Sequence, residues 1–143
     1  MTTETIVYSM TDFNDFTNKK IGLIVNYFDF LTKQYGFDSP IIEFNALGVM
    51  VIYINPDVKR KVRLVHDFKE KHFYFTITNG AQIDEDAKSS NVRTFLQIFQ
   101  HANKSITMED VQPGFYEASE NKLRKNAELL QQLGGGVLSG EWF

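Results

Sequence analysis

Lys59, Arg60, Lys61 and Arg63 crowd four cations into one short stretch beside the aromatic run Phe73, Tyr74 and Phe75. Cations can hold phosphates and exposed rings can stack on bases, so the pairing of the two is the chemistry of a nucleic-acid surface. Strand geometry divides the cluster, however. Lys59, Lys61 and Arg63 fall on one face and Arg60 on the other, the pattern of a half-solvated sheet. The formal charge of −3 supplies no general field toward nucleic acid. Lys59, Lys61 and Arg63 are therefore read as a solvated face and, with Trp142, as a candidate interaction surface for another protein or a second copy of the chain, with nucleic-acid binding the less favoured reading. His66 and His72 flank the turn Asp67–Lys71, and a hairpin could bring both imidazoles and the Asp67 carboxylate together. A divalent metal asks for three or four such ligands at fixed geometry, and with turn chemistry enough to explain Asp67 only two imidazoles remain and a third ligand is unsupported. No metal is expected there. Asp84, Glu85 and Asp86 lack the glycine and the terminal glutamate of a calcium loop, so they read as a solvated acidic stretch.

Catalysis needs a nucleophile or base oriented by a second group in a sheltered pocket, and no such set can be assembled from the order of residues. The chain has no cysteine, which excludes thiol catalysis, thiolate metal sites and disulfides together. Gly134, Gly135 and Gly136 follow a helical pattern, whereas a phosphate-cradling glycine loop precedes a helix and aims its amides at the anion. They read as a helix stop and a hinge. The pairs Asp12 with Asp15 and Glu109 with Asp110 have ordinary work at helix starts and in loops. The expectation is a non-catalytic domain without a cofactor.

The elements that would carry these residues follow from periodicity. A first helix is expected over Asp12–Tyr35, capped by Thr11 or Asp12, with Phe13, Phe16, Lys20, Ile24, Phe28 and Leu31 on one stripe and Gly36 as its stop. From Pro40 the period changes to two, and Ser39–Thr78 reads as strands throughout. Ile42, Phe44 and Ala46 alternate against Ile41, Glu43 and Asn45; Leu47 and Gly48 offer a turn; and Val49–Ile54 is apolar on both faces, as a central strand must be. Asn55, Pro56 and Asp57 form the next turn. Val58–His66 and Phe73–Thr78 complete a four-stranded antiparallel meander. A helix capped by Ser90 or Asn91 then carries Val92, Phe95, Leu96 and Phe99 to about Ala102. Ile106–Tyr116 is a connector with at most one helical turn, and a last helix spans Glu117–Leu133 with Leu123, Ala127, Leu130 and Leu133 on its apolar face.

Asn126, Ala127, Glu128, Leu129 and Leu130, followed by Val137, Leu138, Gly140 and Trp142, form an NAxLL…xLxGxW ending. It resembles the ending of many small bacterial α+β proteins, several of which resemble immunity proteins of polymorphic toxin systems. The resemblance implies stoichiometric protein binding with no catalytic residues. At 143 residues the chain is long enough for one domain with its own core, which the 13 phenylalanines should dominate. No basic leader with a long apolar run opens it and no apolar stretch of membrane-spanning length occurs, so a soluble cytoplasmic protein is expected. The reading is a single α+β domain over residues 1–143, a four-stranded antiparallel meander packed against N-terminal and C-terminal helices. Its expected function is protein binding, with an immunity-type inhibitor as the concrete form. The alternative is a small-ligand or enzyme domain with a cavity between the sheet and the first helix.

Overall fold

The computed structural model describes residues 15–70, 72–80, 91–111 and 120–143. Thr11, Asp12, the acidic stretch Asp84–Asp86, the caps Ser90 and Pro113–Tyr116 of the connector, and the expected start of the last helix at Glu117 lie outside the described residues.

The alternation from Ile41 onward folds as a meander. β1 (Ile41–Asn45), β2 (Gly48–Asn55), β3 (Arg60–Asp67) and β4 (His72–Asn79) pair antiparallel in chain order, and β5 (Val92–Thr94) adds a fifth strand beyond β4. The four-stranded expectation is corrected by this short edge strand. Three residues are too few to display a period of two, and Val92 fits helical spacing with Phe95 and Leu96 equally well. The helix α3 (Phe95–Ala102) accordingly begins after β5, at a capping box. The Thr94 hydroxyl accepts from the Gln97 amide at 3.2 Å, and the Gln97 side chain accepts from the Thr94 amide at 2.8 Å.

The first helical segment is two helices, α1 (Asp15–Phe28) and α2 (Phe30–Tyr35), broken at Asp29. A straight helix turns about 100° per residue, so Phe28 and Phe30 would face nearly opposite ways. Both are buried, together with Leu31, and the break is what lets all three enter one core. Gly36 ends α2 at φ 74, a left-handed cap that glycine adopts without cost. The Asn55 side chain then joins two elements: Oδ1 accepts from the Asp57 amide at 3.0 Å to form the β2–β3 turn, and Nδ2 donates to the Tyr35 carbonyl at 2.9 Å.

Register fixes two faces. Val49, Val51 and Tyr53 of β2 lie opposite His66, Leu64 and Val62 of β3, which lie opposite Phe73, Phe75 and Ile77 of β4. All nine are buried, and this inner face receives the helices. α1 packs on β2, α3 on β4, and α5 (Glu120–Leu133) against both α1 and α3. Rings form the junction, with Phe28, Phe75 and Phe95 mutually 5.2 to 6.2 Å apart by centroid. The short α4 (Met108–Val111) sits beside α5, and α6 (Gly135–Leu138) turns directly out of the glycine stop. Among the described residues no helix is long and apolar enough to cross a membrane.

Candidate functional site

The basic stretch does not form one solvated face. Lys59 is exposed at the turn with φ 57, but Lys61 is 3 % exposed and Arg63 is half-buried. Lys61 and Arg63 do share the outer face, as strand alternation requires, yet β3 is the middle strand of five. Lys61 is flanked in register by Ile54 and Thr78, and Arg63 by Ile52 and Thr76, so neighbouring strands take up the space a solvated cation needs. The Arg63 Nη2 lies 3.1 Å from Met50 Sδ. Arg60, on the inner face, is buried as well.

Arg60 instead holds the C-terminal segment. Its guanidinium donates to the carbonyls of Val137 at 2.9 Å and Trp142 at 3.0 Å, and to Asn79 Oδ1 at 2.8 Å. Arg93 donates to the Phe143 main-chain oxygen, and both guanidinium groups lie over the Phe143 ring, at 5.2 and 4.7 Å. Trp142 is half-buried against the core, its ring 4.1 Å from that of His101. A side chain on Gly136 would meet the Trp142 indole at 2.3 Å, so that glycine is the space the indole fills.

His66 and Asp67 point to opposite faces of β3. The His66 ring meets Phe68 edge-on at 4.9 Å and Phe73 at a tilt at 4.8 Å, while Asp67 accepts from the Lys69 and Glu70 amides at 2.9 Å and so builds the turn. Among the described residues no three His, Cys, Asp or Glu side chains gather as a metal would require.

The feature with chemical content lies where the sequence did not point. A surface-open cavity of about 130 Å³ lies between β4, the β5–α3 junction, α4 and α5, walled by Phe73, Phe75, Phe95 and Val111. Tyr74 and Met108 also line it and are 42 % and 46 % exposed, so the cavity reaches the surface there. Lys122 of α5 lines the same cavity and is 1 % exposed. Its Nζ is 3.4 Å from the Phe73 carbonyl oxygen and 5.9 Å from the centre of the Phe73 ring. Burial disfavours the ammonium form and pushes the amine down to about 8. One turn on, Asn126 Nδ2 donates to the Val111 carbonyl at 2.7 Å and to the Lys122 carbonyl at 2.9 Å, which locks α4 onto α5 beside the amine.

Periodicity does not mark Lys122, because a lysine on an amphipathic helix ordinarily lies on the solvated side. A signal existed. Lys122 and Asn126 each precede a member of the apolar stripe Leu123, Ala127 and Leu130 by one residue, and Leu129 widens that stripe on their side. Compared with protein-family models, with curated proteins and with solved structures, the chain matches none. The cavity differs in place from the expected one, which lay between the sheet and the first helix.

Proposed function

We propose that the protein is a small-ligand-binding domain whose seat is the cavity beneath β4. One observation carries this reading: an apolar, ring-walled space of about 130 Å³ reaches the surface and has a buried amine in its wall. Apolar cavities near 150 Å³ take up a benzene-sized molecule, so the ligand is about one ring or one branched chain in size. Phenyl walls supply its affinity, and the amine with the Asn126 amide supplies the polar selectivity that most ligand pockets obtain from a few placed groups. Amide NMR spectra recorded during a toluene titration test it. Saturable shifts concentrated at Phe73–Thr76, Thr94–Leu96 and Val111 are expected, and Val111→Phe should abolish them while preserving the rest of the spectrum. Uniform or non-saturating shifts would refute the reading.

A second reading has support from a specific observation. Tyr74 and Met108 are two of the three exposed large hydrophobic side chains among the described residues, and both stand at the rim of this cavity. An apolar anchor of a partner protein fits such a rim, since buried anchors in pockets dominate interface energetics. On this reading the chain is a bacterial, cytoplasmic protein-binding module, with an immunity-type inhibitor of a toxin as its concrete form. Co-purification with the product of an adjacent gene, lost in a Tyr74→Ser and Met108→Ser double variant whose thermal midpoint is unchanged, is the outcome this reading requires. A complex indifferent to both substitutions would remove the rim from consideration.

A further inference from the structure

We propose that Lys122 captures carbonyl compounds: its Nζ condenses with a small aromatic or branched aldehyde seated in the cavity to give an imine. The inference rests on the cavity being a ligand seat and goes beyond it by naming the ligand's reacting group. Three features of the site meet the needs of that chemistry. The amine is held on a helix, near the backbone carbonyl of Phe73 at 3.4 Å, so its head is positioned by the sheet. The walls beside it are the rings of Phe73, Phe75 and Phe95, which seat an apolar aldehyde body against the nitrogen. The nitrogen is removed from bulk solvent, which protects an imine from hydrolysis once formed.

In the step itself, the nitrogen lone pair attacks the carbonyl carbon and a C–N bond forms. A proton moves from nitrogen to the former carbonyl oxygen, giving a carbinolamine. Loss of that oxygen as water, with the second nitrogen proton, leaves C=N. Amine plus aldehyde becomes imine plus water, and nothing is oxidised or reduced. Only the neutral amine is nucleophilic. Burial favours that form: at pH 7.5 an amine near 8 is roughly one-quarter neutral, whereas an ordinary lysine near 10.4 is about 0.1 % neutral. Surface lysines such as Lys33, paired with Asp29 at 2.7 Å, sit on the opposite side of this difference.

Treatment of the folded protein with one equivalent of benzaldehyde and sodium cyanoborohydride at pH 7.5 tests the proposal, because this reductant spares the free aldehyde and fixes the imine as a stable benzyl amine. Peptide mapping should place the added group on Lys122 at least tenfold above every other lysine, and excess toluene should suppress it. The proposal is overturned if toluene binds at the lining residues but benzyl groups are absent or spread over surface lysines; the ligand-seat reading would then survive alone. If toluene neither binds nor protects and Lys122 carries no label, both fall. Lys122→Arg, which keeps the charge and a long stem, should lose the label. Labelling unchanged in Lys122→Arg would also overturn the assignment.

Discussion

Lys122 and Tyr53 are both buried on the inner side of the sheet with polar groups that a solvated chain would satisfy more cheaply. Burial holds the Lys122 amine below its ordinary value, so between pH 8 and about 10.4 the unfolded chain binds more protons than the folded one. Stability contributed through this group therefore rises with pH across that window. Lys122→Met removes the titration while conserving much of the volume, and the thermal midpoint of the parent minus that of the variant should increase from pH 7 to pH 9.5. A difference that is flat or falls would show that the amine is not destabilised by burial. Tyr53 differs in kind. Its hydroxyl is buried with no hydrogen-bond partner among the described residues, and burial raises the phenol's pKa, with the Asp29 charge adding to the rise. Removing an unsatisfied hydroxyl restores no lost bond, so Tyr53→Phe should be neutral or stabilise by about 1 kcal/mol in urea denaturation. A loss above ~1 kcal/mol would mean the hydroxyl holds a bond after all. Neither role was legible from the sequence. A lysine in Glu120–Leu133 and a tyrosine in an apolar strand look ordinary until burial is known.

At the scale of elements, the turns and the glycine helix stops were the most legible parts, because each depends on a few adjacent residues, whereas the cap of α3 fell at Thr94 and not at Asn91. Gly36, the Asn55–Asp57 turn and the stop at Gly134 all act locally, and the structure has each where the sequence pointed. The β1–β2 hairpin adds a constraint that only pairing creates. A Cβ on Gly48 would lie 2.3 Å from the His66 carbonyl oxygen, a backbone atom of β3 that cannot retreat without breaking the ladder. Gly48→Ala should cost roughly 1 to 3 kcal/mol, as overpacking against fixed atoms does, and lower the urea midpoint without changing its slope. A silent substitution would mean the hairpin shifts freely. What the sequence misassigned at this scale is short or shared. β5 has three residues, and the break at Asp29 lies inside a continuous apolar pattern. Phe28 and Leu31 keep helical spacing across the break, so local periodicity does not reveal it.

At the scale of the whole molecule, the C-terminal segment closes the inner face near Arg60. Val137 and Leu138 are fully buried, and the Arg60 guanidinium donates to carbonyls on both sides of Gly140. Deleting residues 137–143 would expose those contacts and leave Arg60 without two of its acceptors. At about 1.5 to 3 kcal/mol for each large apolar side chain, the loss should reach ~3 kcal/mol and lower the thermal midpoint by roughly 10 °C. The sole tryptophan, half-buried beside His101, should emit at shorter wavelength than free tryptophan in the parent. Solvent-like emission with an unchanged midpoint after truncation would contradict this docking. The α+β class, the antiparallel meander and the ring-built core were readable from the chain alone, because period and composition are properties of neighbours in sequence. The order of the faces, the burial of Lys61, the Arg60 clamp and the Lys122 cavity were decided only by tertiary structure. Each depends on residues far apart in the chain: Arg60 meets Val137, and Lys122 meets Phe73. Spacing along a sequence carries no record of which distant surface arrives to cover a side chain, and it is that covering which turns an ordinary cation into a clamp or a buried amine.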